Sequence, residues 1–404
     1  MKFLILSFKK NILPTILFIT TILLVIFSRS NLDATKRGLE LWATTVVPAL
    51  FPFFVFTNLL FQTKLVDILG KLFDKIMRPL FNVPGIGGFA FVMGLISGYP
   101  VGAKIVSDLR EEKLVTRSEG ERLLAFTNNS GPLFILSSVG IGLFCDTKTG
   151  LLLLCTHILS CITVGIILGK FSKKYDSEFK NMVKEKSRNT LIKNNKNKEI
   201  CMNNLGEALA SSINSSISTI LLIGGFVVIF SVIISILNKS HILDIFSNLL
   251  KPILQLLNMD TDFAKPLISG ILELTNGVKQ ISEIHIKAIS QNIILCAFLL
   301  GFGGFSVLLQ VFSIVSKTDL SMKKYVVGKF MQGIFASFYT FLALKFIPFI
   351  NLDIIETSNN ISNTINLQTN NISSFFYNIG LITIFLALAF IILRLFNKVY
   401  RKLT

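Results

Sequence analysis

Apolar residues in this chain come in long blocks rather than at the spacing of a soluble amphipathic helix. The blocks "TGLLLLCTHILSCITVGIILGK" (Thr149–Lys170), "SISTILLIGGFVVIFSVIISIL" (Ser216–Leu237) and "FFYNIGLITIFLALAFIILRLF" (Phe375–Phe396) are each long enough to cross a bilayer as a helix. A closed β-barrel would show short alternating segments instead. The pattern predicts an all-α polytopic membrane protein. The opening "MKFLILSFKKNILPTILFITTILLVIF" has basic residues followed by an apolar run, with no clear small-residue cleavage site. It is expected to be a retained first span.

Two apolar stretches are broken from within. "GFAFVMGLISGYPVGAKIV" carries glycines, a proline and a lysine, and "FAKPLISGILELTNGVKQI" (Phe263–Ile281) carries an acid. Their parts align: "ISGYPVGAK" (Ile96–Lys104) and "ISGILELTNGVK" (Ile268–Lys279) both begin I-S-G and end G-x-K. Upstream, "RPLF" (Arg78–Phe81) matches "KPIL" (Lys251–Leu254). Downstream, "AFTNNSGPLFIL" (Ala125–Leu136) matches "AFLLGFGGFSVL" (Ala297–Leu308). Three matches in one order point to an internal duplication.

Composition and charge then set the topology. The chain has 404 residues, 51% hydrophobic and 16% charged, with mean hydropathy +0.66 and a formal net charge of +17. Most basic residues lie between apolar blocks, where they hold loops on the cytoplasmic side; no nucleic-acid partner is expected. The loop Phe171–Asn204, the segment "SKTDLSMKKYVVGK" (Ser316–Lys329) and the C-terminal "RLFNKVYRKLT" are basic and go inside. The loop Asn351–Ser374 has no lysine or arginine and goes outside. Alternation then makes the first broken stretch dip in from the cytoplasm and the second from outside. The expected architecture is about eight transmembrane helices plus two opposed re-entrant dips, an inverted repeat. Its parts are 1–39, an N-terminal span and loop; 40–170, the first repeat; 171–206, a basic cytoplasmic linker; 207–350, the second, inverted repeat; and 351–404, an Asn-rich external loop and C-terminal span. The charged "SDLREEKLVTRSEGERLL" (Ser107–Leu124) reads as a solvated helix or helical hairpin.

A break in a membrane helix survives where the backbone faces protein or a polar cavity, and its new N-terminus suits an anion. The candidate substrate-binding residues are therefore Ser97, Gly98, Tyr99, Pro100 and Gly102 in the first dip, and Glu273, Thr275, Asn276 and Gly277 in the second. Asn128, Asn129 and Ser130 at the break signal N-N-S-G-P, and their repeat partners Ser306 and Gln310, complete the set. Glu273 is the sharpest, since an ionisable group at that depth is functional by default; pairing with Lys279 is the structural alternative. Lys104 and Lys279 either steer an anion or snorkel to the interface. The five cysteines and three histidines show no disulfide or metal-ligand spacing. No nucleophile–base pair stands out, so neither an enzyme nor a cofactor or metal is expected.

"ELWATTVVPALFPFFVFTNLL", "GLISGYPVGAK", "LLAFTNNSGPLFIL", "GILELTNG" and "GFGGFSVLLQ" together resemble the sporulation integral membrane proteins called YlbJ or SpoVV. These sit within the wider nucleoside-recognition, or gate, domain group that includes parts of concentrative nucleoside transporters. The resemblance runs from about Glu40 to Ile350. It implies a role in endospore formation: movement of dipicolinic acid, a small organic anion, from mother cell to forespore across the outer forespore membrane. A neutral solute such as a nucleoside, or a non-transporting scaffold, stays open. So do a coupling proton or cation and a homo-oligomer; the lipid bilayer is the remaining partner.

Overall fold

A computed structural model describes residues 14–171 and 205–346, apart from 16, 62, 64–72, 74 and 285–288. The basic linker, the Asn-rich loop, the span Phe375–Phe396 and the basic C-terminus lie outside the described residues, except for the linker's first residue and last two.

The described chain is helical throughout its regular elements. Helix α1 (Leu17–Ile26) meets the run Ser28–Val46 at 97°; the bend falls at the end of the first apolar block, whose first thirteen residues lie outside the described residues. Helix α2 (Ser28–Leu41) passes through a π-helical turn (Trp42–Val46) into α3 (Val47–Phe61). Helix α4 (Lys75–Phe81) is bent by 86° against α5 (Ile86–Ser97). Then follow α6 (Val101–Glu111), α7 (Arg117–Thr127), the π-wound α8 (Phe134–Leu143) and α9 (Thr147–Lys170). The second half repeats this order: α10 (Leu205–Lys239), α11 (Ile242–Leu256), α12 (Ala264–Leu272), α13 (Leu274–Ser282), α14 (Ile289–Phe302), α15 (Gly304–Val315) and α16 (Lys323–Phe346). Among the described residues four helices are long and apolar enough to cross a membrane, or up to six with the bent pairs.

Local chemistry sets the ends. At α7, Thr116 and Glu119 form a reciprocal capping box, which satisfies two orphan N–H donors. At α9, the Asp146 carboxylate accepts from Lys148 and Thr149 N–H. Gly303 and Gly304 take φ of +86° and +80°, a conformation open to glycine, and so split α14 from α15.

Polar contacts define two ends of the bundle. At one, Arg122 donates to Asn82 O, Arg110 pairs with Asp319, and Lys324 pairs with Glu121. At the other, Asn292 donates to the carbonyls of Ile281 and Ile284, and Asp260 N–H donates to Gln291. The helices α14 and α15 join the two, a path of roughly 40 Å at 1.5 Å per residue. The hairpin α5–α6 begins and finishes at the first end; α12–α13 begins and finishes at the second. The segment Ser316–Lys329, expected on the cytoplasmic side, touches Ser107–Leu124, expected to be a solvated helix or hairpin, through the pairs Arg110–Asp319 and Lys324–Glu121. Contacts exchange between halves in the same sense: α6 packs on α7 and on α15, while α13 packs on α14 and on α8. The halves are thus repeats of opposite sense, with hairpin tips meeting in the middle.

Candidate functional site

Four interruptions come together at those tips: Gly98–Pro100 between α5 and α6, Asn128–Gly131 between α7 and α8, Glu273 between α12 and α13, and Gly303 between α14 and α15. The first hairpin presses on the first broken helix. A Cβ on Gly98, whose φ is +78°, would lie 2.6 Å from Gly131 N, and one on Gly94 or Gly102 would overlap Thr127 O. The second hairpin does the same: a Cβ on Gly304 would lie 3.0 Å from Gly270 O. Tyr99 reaches across to the other half, its hydroxyl donating to Leu300 O at 3.2 Å. Ser130 Oγ donates to the same carbonyl at 3.3 Å.

Between the tips lies a cavity of about 60 Å³, room for a few waters. Eight of the expected residues line it: Ser97, Gly98, Tyr99, Ser130, Glu273, Thr275, Ser306 and Gln310. Its apolar walls, from Val46, Leu50, Phe134, Ile223, Val227, Leu274 and Val307, were not legible in the motifs. Ser97 Oγ is buried and without a hydrogen-bond partner. A larger groove of about 440 Å³ between α2 and α10 is almost wholly apolar and lies away from the breaks.

Glu273 is the cavity's one acid and is 3% exposed. It does not pair with Lys279, which sits on the outer face 4.0 Å from Glu283. Instead Glu273 caps its own helix: Oε1 accepts Thr275 N–H at 3.0 Å and Oε2 accepts Asn276 N–H at 2.7 Å. The N-terminus of α13 is therefore filled by the chain's own carboxylate and is not an open anion site, as the break alone had suggested.

The other expected residues sit elsewhere. Pro100 is the N-terminal boundary of α6. Gly102 packs on the Thr127 carbonyl and Gly277 on Gly270, so both serve close helix approach rather than lining the cavity. Asn276 turns to α10, where Nδ2 donates to Ser231 Oγ at 2.8 Å. Lys104 is exposed on α6, so neither G-x-K lysine reaches the cavity. Asn128 and Asn129 point the other way, into α16. Asn128 Nδ2 donates to Tyr325 Oη at 2.8 Å, and Asn129 Oδ1 accepts from Gln332 Nε2 at 2.9 Å.

Behind them is a buried group that the loop reading misplaced. Lys329, counted with the basic loop, lies two turns inside α16 and is 0% exposed. The signal was present: Tyr325, Lys329, Gln332, Ala336 and Thr340 fall on one helical face, and all are fully buried. His157 of α9 joins the same layer, with Nε2 3.5 Å from Gln332 Nε2.

Opposed hairpins and broken helices around a central cavity with apolar walls and a few polar groups define a polytopic membrane protein of transporter-like fold. The chain matches the family model described as Gate, nucleoside recognition, over residues 43–173 and 220–318. It superposes on a solved structure of a substituted CNTnw in the intermediate 3 state with a TM-score of 0.52 at 12% identity, over 84% of this chain and 87% of that one; that likeness concerns the fold. It is 36% identical over 320 residues to the sporulation integral membrane protein YlbJ of Bacillus subtilis (strain 168), 78% of each chain. The chain belongs to the YlbJ family of sporulation integral membrane proteins, built on the gate domain.

Proposed function

We propose that this chain is a secondary transporter that moves a small organic solute through the cavity where the four breaks meet. The observation that carries this reading is the convergence itself. Two hairpins from opposite ends bring hydroxyls, an amide and a carboxylate to one point, the construction used for alternating access. At about 60 Å³ the cavity has room for only a few waters, so loading an organic solute requires one hairpin to swing away from its broken helix.

Dipicolinic acid, passed into the forespore across the outer forespore membrane, is the substrate we favour, on the strength of the family's place in sporulation. Glu273 then sets a condition. Both its oxygens accept backbone N–H bonds, and a second anion beside a buried carboxylate is costly. A dicarboxylate enters beside Glu273 only when that acid is protonated or cation-bound. A second reading, a nucleoside or similar neutral solute, is favoured by the lining itself, which offers hydrogen-bonding groups and no base. Uptake of labelled dipicolinate and of a labelled nucleoside into liposomes containing the purified protein separates the two. Saturable uptake of one and not the other names the class. Uptake of neither, with folded protein confirmed and under several ion gradients, sinks the transport reading in favour of a scaffold.

A further inference from the structure

Lys329 is buried without a counter-ion: among the described residues no carboxylate pairs with it. Its Nζ donates to Gln332 Oε1 at 2.7 Å and to the main-chain oxygen of Asn128 at 3.0 Å, and lies 5.2 Å from the centroid of the Tyr99 ring. The Asn128 carbonyl is one of those freed where α7 stops at Thr127. Freed carbonyls at a broken membrane helix are the groups with which secondary transporters coordinate a coupling cation. The surroundings are arranged for a cation too. Gln332 donates its amide nitrogen to Asn129, which turns its oxygen toward Lys329, and Tyr99 offers a ring face. The ammonium thus ties together the first hairpin tip, the first helix break and α16. The second break has no such counterpart: Lys329 and Leu153 are each the seventh residue of their helices, α16 in the second half and α9 in the first, and Leu153 is apolar.

We propose that Lys329 is a tethered cation occupying the coordination point of the first helix break, so that this carrier holds its first hairpin on that break without a small monovalent ion from solution. The uptake arm of the test rests on the transport reading; the stability arm does not. Purified protein is compared in sodium chloride and in N-methyl-glucamine chloride of equal ionic strength, for solute uptake and for Tm. The wild type is expected to give the same uptake rate and the same Tm in both media. Lys329→Ala opens a space at the break. It is expected to lose uptake at least tenfold, and its Tm is expected to rise by about 3 °C when sodium or methylammonium is added. If Lys329→Ala does not fold, the wild-type comparison still decides. A wild-type Tm or uptake that rises with sodium would overturn the proposal. The buried, unpartnered oxygens Ser97 Oγ, Thr127 Oγ1 and Asn128 Oδ1 would then be the cation's ligands. Failure of both cations to restore Lys329→Ala would overturn it as well. Absence of wild-type uptake in every medium defeats the transport reading alone and leaves the stability arm to judge Lys329.

Discussion

Replacing Gly94 by alanine is the sharpest way to strain the seam between the first hairpin and the first broken helix. Gly94 sits one turn before the tip. A Cβ there would overlap Thr127 O, lie 2.8 Å from Thr127 C and approach Gly102 Cα at 3.3 Å. Carbon pairs rest near ~3.5 Å or more, and the obstacle is backbone rather than a side chain that can rotate. The methyl must therefore push α5 away from the break, and overpacking of this kind costs ~1–3 kcal/mol or more. Alanine's better helix propensity returns about 1 kcal/mol. With the backbone unable to yield, the net loss is about 2 kcal/mol, a Tm drop of about 2–3 °C for a chain of this length. Gly225 in α10 is the control, because a Cβ there meets nothing within 4 Å; Gly225→Ala keeps the propensity gain and should hold or raise Tm. Thermal unfolding in detergent, followed by loss of the monodisperse peak, measures both. A Gly94→Ala protein as stable as Gly225→Ala would show that the hairpin does not pack on the break as described.

Glu273→Gln keeps one cap acceptor, so the fold should survive with a loss of about 1 kcal/mol or less, while uptake falls roughly tenfold or more, equivalent to ~1.4 kcal/mol on the barrier. At the first end of the bundle, Asp319 is held below the usual carboxylate range, chiefly by its hydrogen bond to Arg110. The pair's stabilisation is therefore present above the ordinary carboxylate pKa and lost as pH falls through the lowered one. Because the pair is exposed, Asp319→Asn should cost under ~1 kcal/mol near neutral pH, and the difference in Tm from wild type should vanish in acid. For topology, Lys113→Cys and Ser316→Cys should label from one side of the membrane. Native Cys145, which is exposed, and Glu283→Cys should label from the other. Labelling of Lys113→Cys and Glu283→Cys from the same side would remove the opposed hairpins.

Glycine and proline make the breaks readable in the sequence, because those residues punctuate an apolar background where nothing else does. The repeat followed from three ordered matches, while the contact of Ser107–Leu124 with Ser316–Lys329 through Arg110–Asp319 and Lys324–Glu121 was not legible in the charge pattern, which speaks to sidedness and not to neighbours. What stayed hidden was direction. Residues in an unwound segment obey no helical period, so "TNNSG" could not reveal that Ser130 faces the cavity while Asn128 and Asn129 face α16. Gly102 and Gly277 read as site backbone but serve close packing, a distinction that only distance can make. Glu273 was correctly singled out, yet its oxygens serve the helix end that seemed free for an anion. Lys329 was masked by its neighbours: beside Lys323 and Lys324 it reads as a loop charge, and the buried stripe Tyr325–Thr340 identifies it only once the start of α16 is known.

Passage of solute through the cavity where the four breaks meet is testable at Ser306, 1% exposed on the cavity wall. Ser306→Cys, in a background with Cys145→Ser, is assayed for uptake before and after a small methanethiosulfonate reagent, with and without excess solute. Modification is expected to abolish uptake, and bound solute is expected to slow the modification. Full uptake after complete modification at Ser306→Cys would contradict passage through the cavity.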